Sequence, residues 1–382
     1  MRFGWRSLSL CALFATGLVA CGNNSTTPNV GPGPNVSQQG VIALPNLVPG
    51  SKFTYDIGIA DAASRRYYLA DRTNASLDIV DMDSFAVRQV GGFVGQKPSN
   101  DLSGPDGVVF VPGGSVYVGD VNVVKVVDPV AGAVTKAIAT GTAGFRTDEG
   151  CYDPDDKLIM FANPADSPPY ASFISTTTNT VVAQLPFTTA TGGLEQCVYD
   201  PGTKRFFINN DSTATNPHGE LNSLLASTAV AGAPVIDKVY PEGNCGPAGL
   251  ALGPNENLLV GCDTPAGTQQ ETLIMSATSG AVVATITQVG GEDEVAYDPK
   301  LNHYLTASRN MTANGISQSG VTGAKFTSVL GVIDAATNTW VGNFPTGSGA
   351  HSVAADSKTG RVFVPVPPTA TAAGGLLVFS SP

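Results

Sequence analysis

The chain carries a segment that it repeats, and the repeat restricts its fold more than any other feature. RTDEGCYDP (146–154), GLEQCVYDP (193–201) and GEDEVAYDP (291–299) each place acids before a short apolar run and close on Tyr-Asp-Pro. Asp caps a turn through its side chain and Pro presets φ at the next position, so each copy reads as a strand entering a tight turn. Looser copies recur from residue 40 onward. One unit reads strand, Asp-Pro or Pro-Asn turn, strand, loop, strand, tight turn, strand. In the sixth unit these are 294–297, a turn at Asp298-Pro299, 303–307, a long loop, 329–334, a turn at 335–338 and 340–344. The turns between third and fourth strands have their own signature: DPVAG (128–132), SATSG (276–280) and DAATN (334–338). The closing Gly or Asn supplies the positive φ of a hairpin.

Aligning the units on the residue four before the tyrosine gives the series Asp56, Asp106, Asp148, Glu195, Ala248, Asp293 and His351, at spacings of 42 to 58 residues. Seven four-stranded units at this period predict an all-β fold, a seven-bladed β-propeller of antiparallel blades, whereas a sandwich would not repeat. The composition agrees: 44 Gly, 27 Pro and only 13% charged residues make a turn-rich chain poor in helix formers. The last unit offers only three strands, 352–355, 361–364 and 376–379. A strand at 40–47, ahead of the first unit, is expected to supply the fourth and close the ring without an unpaired edge.

Residues 1–20 read as a targeting segment. Arg2 and Arg6 precede an apolar stretch, 8–17, too short to span a bilayer. It ends in Leu18-Val19-Ala20-Cys21, which resembles the bacterial lipobox. That resemblance implies cleavage before Cys21 and its lipidation; an ordinary secretory signal is the alternative. Gly22, where Asp would retain a lipoprotein in the inner membrane, implies an outer-membrane anchor facing the periplasm or the cell surface. Residues 21–39 then form the lipidated Cys21 and a polar Pro/Gly-rich tether, with a coil reach of about 20–25 Å, and 40–382 the propeller. The chain is acidic, at −11, and losing residues 1–20 removes two Arg and no acid. An acidic chain without Lys/Arg clusters is not expected to bind nucleic acid. A monomer is expected.

The blade sequences resemble one known repeat. Val116-Tyr117-Val118-Gly119-Asp120 followed by 124–128, and 329–334 followed by Thr337-Asn338-Thr339, are similar to the YVTN-type propeller repeat. The resemblance covers about 40–382 and is loosest in blade 4, where LLAS (224–227) lacks the Asp. It implies the fold; propellers of this type serve both binding and catalysis.

Chemistry is expected where the inner strands begin, because the loops between second and third strands open on the same face and vary most in length: 163–171, 210–222, 263–271 and 309–328. Asp106, Asp148, Glu195 and Asp293 are acids of the aligned series, and Glu149, Gln196 and Glu294 lie one step further in. Several carboxylates around one channel cannot all ionise cheaply, so some pKa values rise or a cation binds. Candidate metal ligands are Asp148, Glu149, Glu195, Asp293, Glu294 and His351, for Ca²⁺ or another divalent cation. Capping of loop N–H groups is the alternative. Calcium-dependent lactonase propellers place a metal at this kind of site, but their ligands include Asn, and no motif matches residue by residue. Arg309 is a candidate for a ligand carboxylate or phosphate, or for a salt bridge to Asp293 or Glu294. His218, in a long loop, is a further ligand-binding candidate. The other polar strand-two ends, Asp71, Asp120, Asn163, Asn209 and Asp263, read as structural.

Four cysteines remain beyond Cys21, and disulfides are expected in an oxidising compartment, with Cys151–Cys197 and Cys245–Cys262 favoured over the other two pairings. No Gly-x-Ser-x-Gly, P-loop or His-Glu-x-x-His motif occurs. Trp340 is the one tryptophan beyond the targeting segment, which disfavours the tryptophan-rich quinone dehydrogenase propellers. The leading expectation is a lipid-anchored binding propeller for a small ligand or an envelope protein. The runner-up is a metal-dependent hydrolase in which Glu149 or Glu294 holds the cation and His351 moves protons.

Overall fold

The computed structural model describes residues 36–380. The expected signal peptide, Cys21 and all but the end of the tether lie outside these residues. Seven four-stranded antiparallel sheets follow one another along the chain. Their first strands are Tyr55–Asp61, Val108–Phe110, Gly150–Asp153, Leu194–Asp200, Pro247–Leu252, Val295–Asp298 and Ala354–Asp356. Each packs against the first strand of the next blade, and the seventh packs against the first, so they line one central channel. The expected seven-bladed propeller is the observed fold.

Ring closure also matches expectation. Ser37–Ile42 adds as the outermost strand of blade 7, antiparallel to Gly375–Ser380, with Ile42 opposite Leu376. The strand begins three residues ahead of the expected 40–47 and ends earlier. An outer strand packs on one side only, and five of its six residues are exposed. Ser37, Gln38 and Gln39 can therefore pair through their backbones without apolar side chains.

The turns carry the repeat. Asp61, Asp153, Asp200, Asp298 and Asp356 each end a first strand and accept a hydrogen bond from the N–H two residues on, at 2.8–3.1 Å. Four residues after each Asp the backbone turns left-handed, at Arg65, Lys157, Lys204, Asn302 and Gly360. Gly132, Gly280 and Asn338 have the expected positive φ in the later turns. In blade 4 the missing Asp is accompanied by a short helix, Ala226–Val230, in place of the turn.

The hydrophobic core is divided among seven clusters of buried residues, one at each blade junction. Alternation explains this: each strand of a blade presents its side chains to the blade on either side. Both expected disulfides are present. Cys151–Cys197 joins the inner strands of blades 3 and 4, and Cys245–Cys262 ties the entry of blade 5 to the end of its second strand. They close loops of 46 and 17 residues, for which chain entropy gives about 4 and about 3 kcal/mol. Replacing Cys151 and Cys197 together by Ala is therefore expected to lower the urea midpoint more than the same change at Cys245 and Cys262. Equal or reversed losses would refute that order. No helix among the described residues is long and apolar enough to cross a membrane.

Candidate binding site at the channel mouth

The starts of the inner strands surround a cavity of about 260 Å³. Asp56, Asp148, Glu149, Glu195, Asp293, Glu294 and His351 line it, as do three arginines, Arg72, Arg146 and Arg309. The aligned series thus converges on one place, with two exceptions. Asp106 is fully buried beneath Arg72, and Ala248 is not part of the lining. His218 is also absent from the lining: its loop folds back on blade 5, where its carbonyl accepts the N–H of Gly246 at 2.8 Å. Its expected ligand-binding role has no support in this position.

The arginines divide the acids into two groups. Arg72 follows the second strand of blade 1, Arg66–Asp71, and reaches across the blade junction. Its Nε donates to Asp106 Oδ1 at 2.8 Å and its Nη2 to Asp56 Oδ2 at 2.6 Å. Arg146 lies 2.6 Å from Asp148 and 3.9 Å from Asp56. Arg309 pairs with Asp293 at 2.6 Å, the salt bridge weighed from the sequence. Burial raises Asp56, but Arg72 and Arg146 outweigh it and hold the carboxyl below its usual range. Burial pushes Asp148 up to about 7 against the pull of Arg146, with Asp56 adding to the rise.

Glu149, Glu294 and Glu195 form the second group, and no arginine pairs with them. The carboxyls of Glu149 and Glu294 are neighbours across the channel, and each shifts the proton affinity of the other. Glu195 contacts Asp211, whose Oδ2 accepts the Gly193 N–H at 3.0 Å. Burial raises all three glutamates well above the carboxylate range. For Glu149 the strongest neighbouring charges, Glu294, Asp148 and Glu195, all add to that rise. Gln196 completes the layer: its Nε2 donates to Glu294 at 3.1 Å and its Oε1 accepts the Leu250 N–H at 2.6 Å. Blades 3, 4, 5 and 6 are thereby joined across the channel.

The six expected metal ligands do not gather around one point. Among the described residues, the group of three carboxylates close enough to share an ion is Asp56, Asp106 and Asp148, with oxygens within 4.8 Å of one another. The guanidinium groups of Arg72 and Arg146 already set two positive charges against that trio. His351 stacks on Tyr55, with ring centroids 4.2 Å apart, and both ring nitrogens face backbone carbonyls, of Gly349 at 2.8 Å and Tyr55 at 3.2 Å. A neutral imidazole carries one N–H, so one of these contacts is a hydrogen bond and the other nitrogen keeps its lone pair; Nε2 also lies 4.0 Å from Asp56. The carboxyls left to meet a cation are Glu149, Glu294 and Glu195.

The polar strand ends are structural, as expected. Asp120 holds Lys125 at 2.6 Å, Asn163 accepts from Ser172 at 2.8 Å, and Asn209 donates to the carbonyls of Ala248 and Gly249. In blade 1 the residue that lines the mouth is the next one, Arg72, and in blade 4 Asp211, two residues after Asn209, meets Glu195 instead. Arg146 stands two residues before Asp148 in the repeated segment. The loops of blades 5 and 6 bind one another: Gln270 Nε2 donates to the Asn310 carbonyl at 2.8 Å, and Ser317 Oγ to that of Thr264 at 2.6 Å.

No family model and no curated protein matches the sequence. Solved structures do. A chain of hydrazine synthase from Kuenenia stuttgartiensis superposes with a TM-score of 0.65 at 17% identity, over 86% of this chain and 96% of that one. A chain of the mitotic checkpoint complex gives 0.62 at 12% identity, over 100% and 99%. At these identities the likeness is one of fold alone, and it agrees with the propeller architecture.

Proposed function

We propose that this chain is a lipid-anchored binding protein of the bacterial cell envelope, a propeller of the YVTN type, whose ligand carries a positive charge into the channel mouth. The contact of Glu149 with Glu294 supports this reading. Two buried carboxyls adjoin with no ion pair to a cationic side chain, so a bound cation can supply the charge that they lack. The arginines do not compete, each being paired with an aspartate. The anchor rests on the lipobox at Cys21, and the YVTN assignment on the blade sequences. The hydrolase reading has less support, because its six expected ligands do not gather around one point and its proton carrier, His351, is held by stacking on Tyr55.

Melting curves with Ca²⁺ and with chelator, together with elemental analysis, test the proposal. Ca²⁺ is expected to raise the melting temperature of the wild type. It should have no effect on the Glu149→Gln/Glu294→Gln variant, which replaces the carboxyl pair by amides that bind no ion. The cation-free variant should melt at or above the wild type, since a buried acid pair has been removed. No bound metal, no chelator effect and no Ca²⁺ shift would sink the cation reading.

A further inference from the structure

The channel continues below the carboxyl layer and changes character. A second cavity, of about 290 Å³, shares Glu149 and Glu294 with the upper one and is otherwise walled largely by apolar residues of blades 1, 2, 6 and 7. It shares Phe110, Gln196 and Tyr297 with a third cavity, of about 500 Å³, at the far ends of the inner strands. Phe110, Val198, Leu252 and the repeat tyrosines Tyr152, Tyr199 and Tyr297 surround this lower mouth, and neither an arginine nor an acid lies among its lining residues. Its size falls in the range of small-molecule sites, roughly 300–1,000 Å³. Charge and apolar surface are thus separated along one axis, with uncompensated carboxyls at the middle and aromatic walls below.

We infer that the lower mouth admits a hydrophobic amine, whose ammonium group reaches the Glu149–Glu294 pair while its hydrocarbon body lies against Phe110, Val198, Leu252 and the repeat tyrosines. Three features fix this occupant. Glu149 is 7% exposed, lines the channel and has an acid as its closest partner, so a cation entering there meets a desolvated carboxyl. The walls below offer apolar surface and ring faces, which attract alkyl chains and ammonium groups. An anionic head would meet carboxyls, and a bare metal ion would gain nothing from the apolar walls. The tyrosines of the Tyr-Asp-Pro repeat, required for the turns, acquire a second use as the rim of this mouth.

The inference rests on the cation preference proposed above, and the experiment separates the two. Hexylammonium, methylammonium, hexanol and hexanoate are titrated by calorimetry into the full chain and into Val198→Arg, with Leu252→Arg as the alternative if the first does not fold. Hexylammonium should bind roughly 100-fold tighter than methylammonium, from burial of its extra methylenes, and hexanoate should not bind. Val198→Arg should abolish hexylammonium binding by placing a like charge in the lower mouth, while its response to Ca²⁺ is kept. Glu149→Gln should weaken both. A Ca²⁺ response without tighter binding of hexylammonium overturns the amine and leaves the cation reading standing. Equal binding of hexanol and hexylammonium also overturns it. Failure of every cation removes both.

Discussion

Arg72→Met is expected to destabilise the propeller by about 3–5 kcal/mol, the usual loss when one partner of a buried ion pair is removed. Arg72 is the shared counter-charge of Asp56 and Asp106, and Asp106 has no exposed surface. Without it, three carboxylates with oxygens within 4.8 Å of one another would keep only Arg146. The guanidinium also fastens blade 1 to blade 2, so its loss opens a junction next to the mouth. Urea denaturation measures the effect. Arg72→Met/Asp106→Asn should recover part of the loss, because no charge is then stranded at Asp106. Arg72→Met should also acquire a Ca²⁺-dependent stability at the freed trio that the wild-type trio lacks. A single variant within about 1 kcal/mol of wild type would show that Arg72 does not hold this junction.

The second large effect is on pH dependence. Burial pushes Asp148 up to about 7, and Asp78 and Glu292 each up to about 8. Burial also raises Glu149, Glu195, Glu294 and Glu242 well above the carboxylate range. In the unfolded chain these acids titrate near 4, at about 3.9–4.3. A folded pKa above the unfolded one means that the native state binds the proton more tightly. The stability so gained is fully present below the unfolded pKa and is lost as pH rises through the folded value, by about 1.4 kcal/mol per unit for each group. Asp56, lowered by its arginines, acts in the opposite direction, and its contribution is lost only as pH falls below the unfolded value. Without added cation, the melting temperature is therefore expected to be highest near pH 4 and to fall by ~5 °C or more by pH 8. A flat or rising profile over that interval would contradict the protonated state of the channel acids. If a cation supplies the charge that the carboxyl pair lacks, saturating Ca²⁺ should flatten the decline.

Much of the architecture was legible because turns and strands leave local signals. Asp61, Asp153 and their equivalents mark the same turn in five of the seven blades, and the period that they set gives the number of blades. The disulfides were legible because Cys151 and Cys197 differ by one position in the aligned repeat, which sets them on facing sides of one junction. The site was legible as a ring of acids, and not as a charge balance. Arg146 is near Asp148 in the sequence itself, but Arg72 meets Asp106 only because its side chain crosses the blade junction, and nothing in the spacing reports that reach. A one-residue difference at the strand ends separates Asp71, which is structural, from Arg72, which faces the mouth. His218 illustrates the converse: a polar residue in a long loop on the correct face, carried elsewhere by the fold of that loop. The closing strand was placed late because Ser37, Gln38 and Gln39 have the composition of a linker, and an outer strand requires little else.

The pairing of Ser37–Ile42 with Gly375–Ser380 also bears on the order of events during synthesis. Among the described residues, the first strand to be made has its partner in the last. Six blades can assemble from neighbours in sequence as the chain grows, but the seventh must wait, with its outer strand already made and unpaired. Loop closure over nearly the whole chain is thus deferred to a single final step. Until then the junctions on either side of blade 7 remain open, and their apolar residues, Phe363 and Val378 toward blade 1, Phe379 toward blade 6 and Leu330 of blade 6 opposite it, lack their cover. A chain that stops a few residues short would lose more than one strand: it would be held as an unclosed ring, the state most exposed to aggregation.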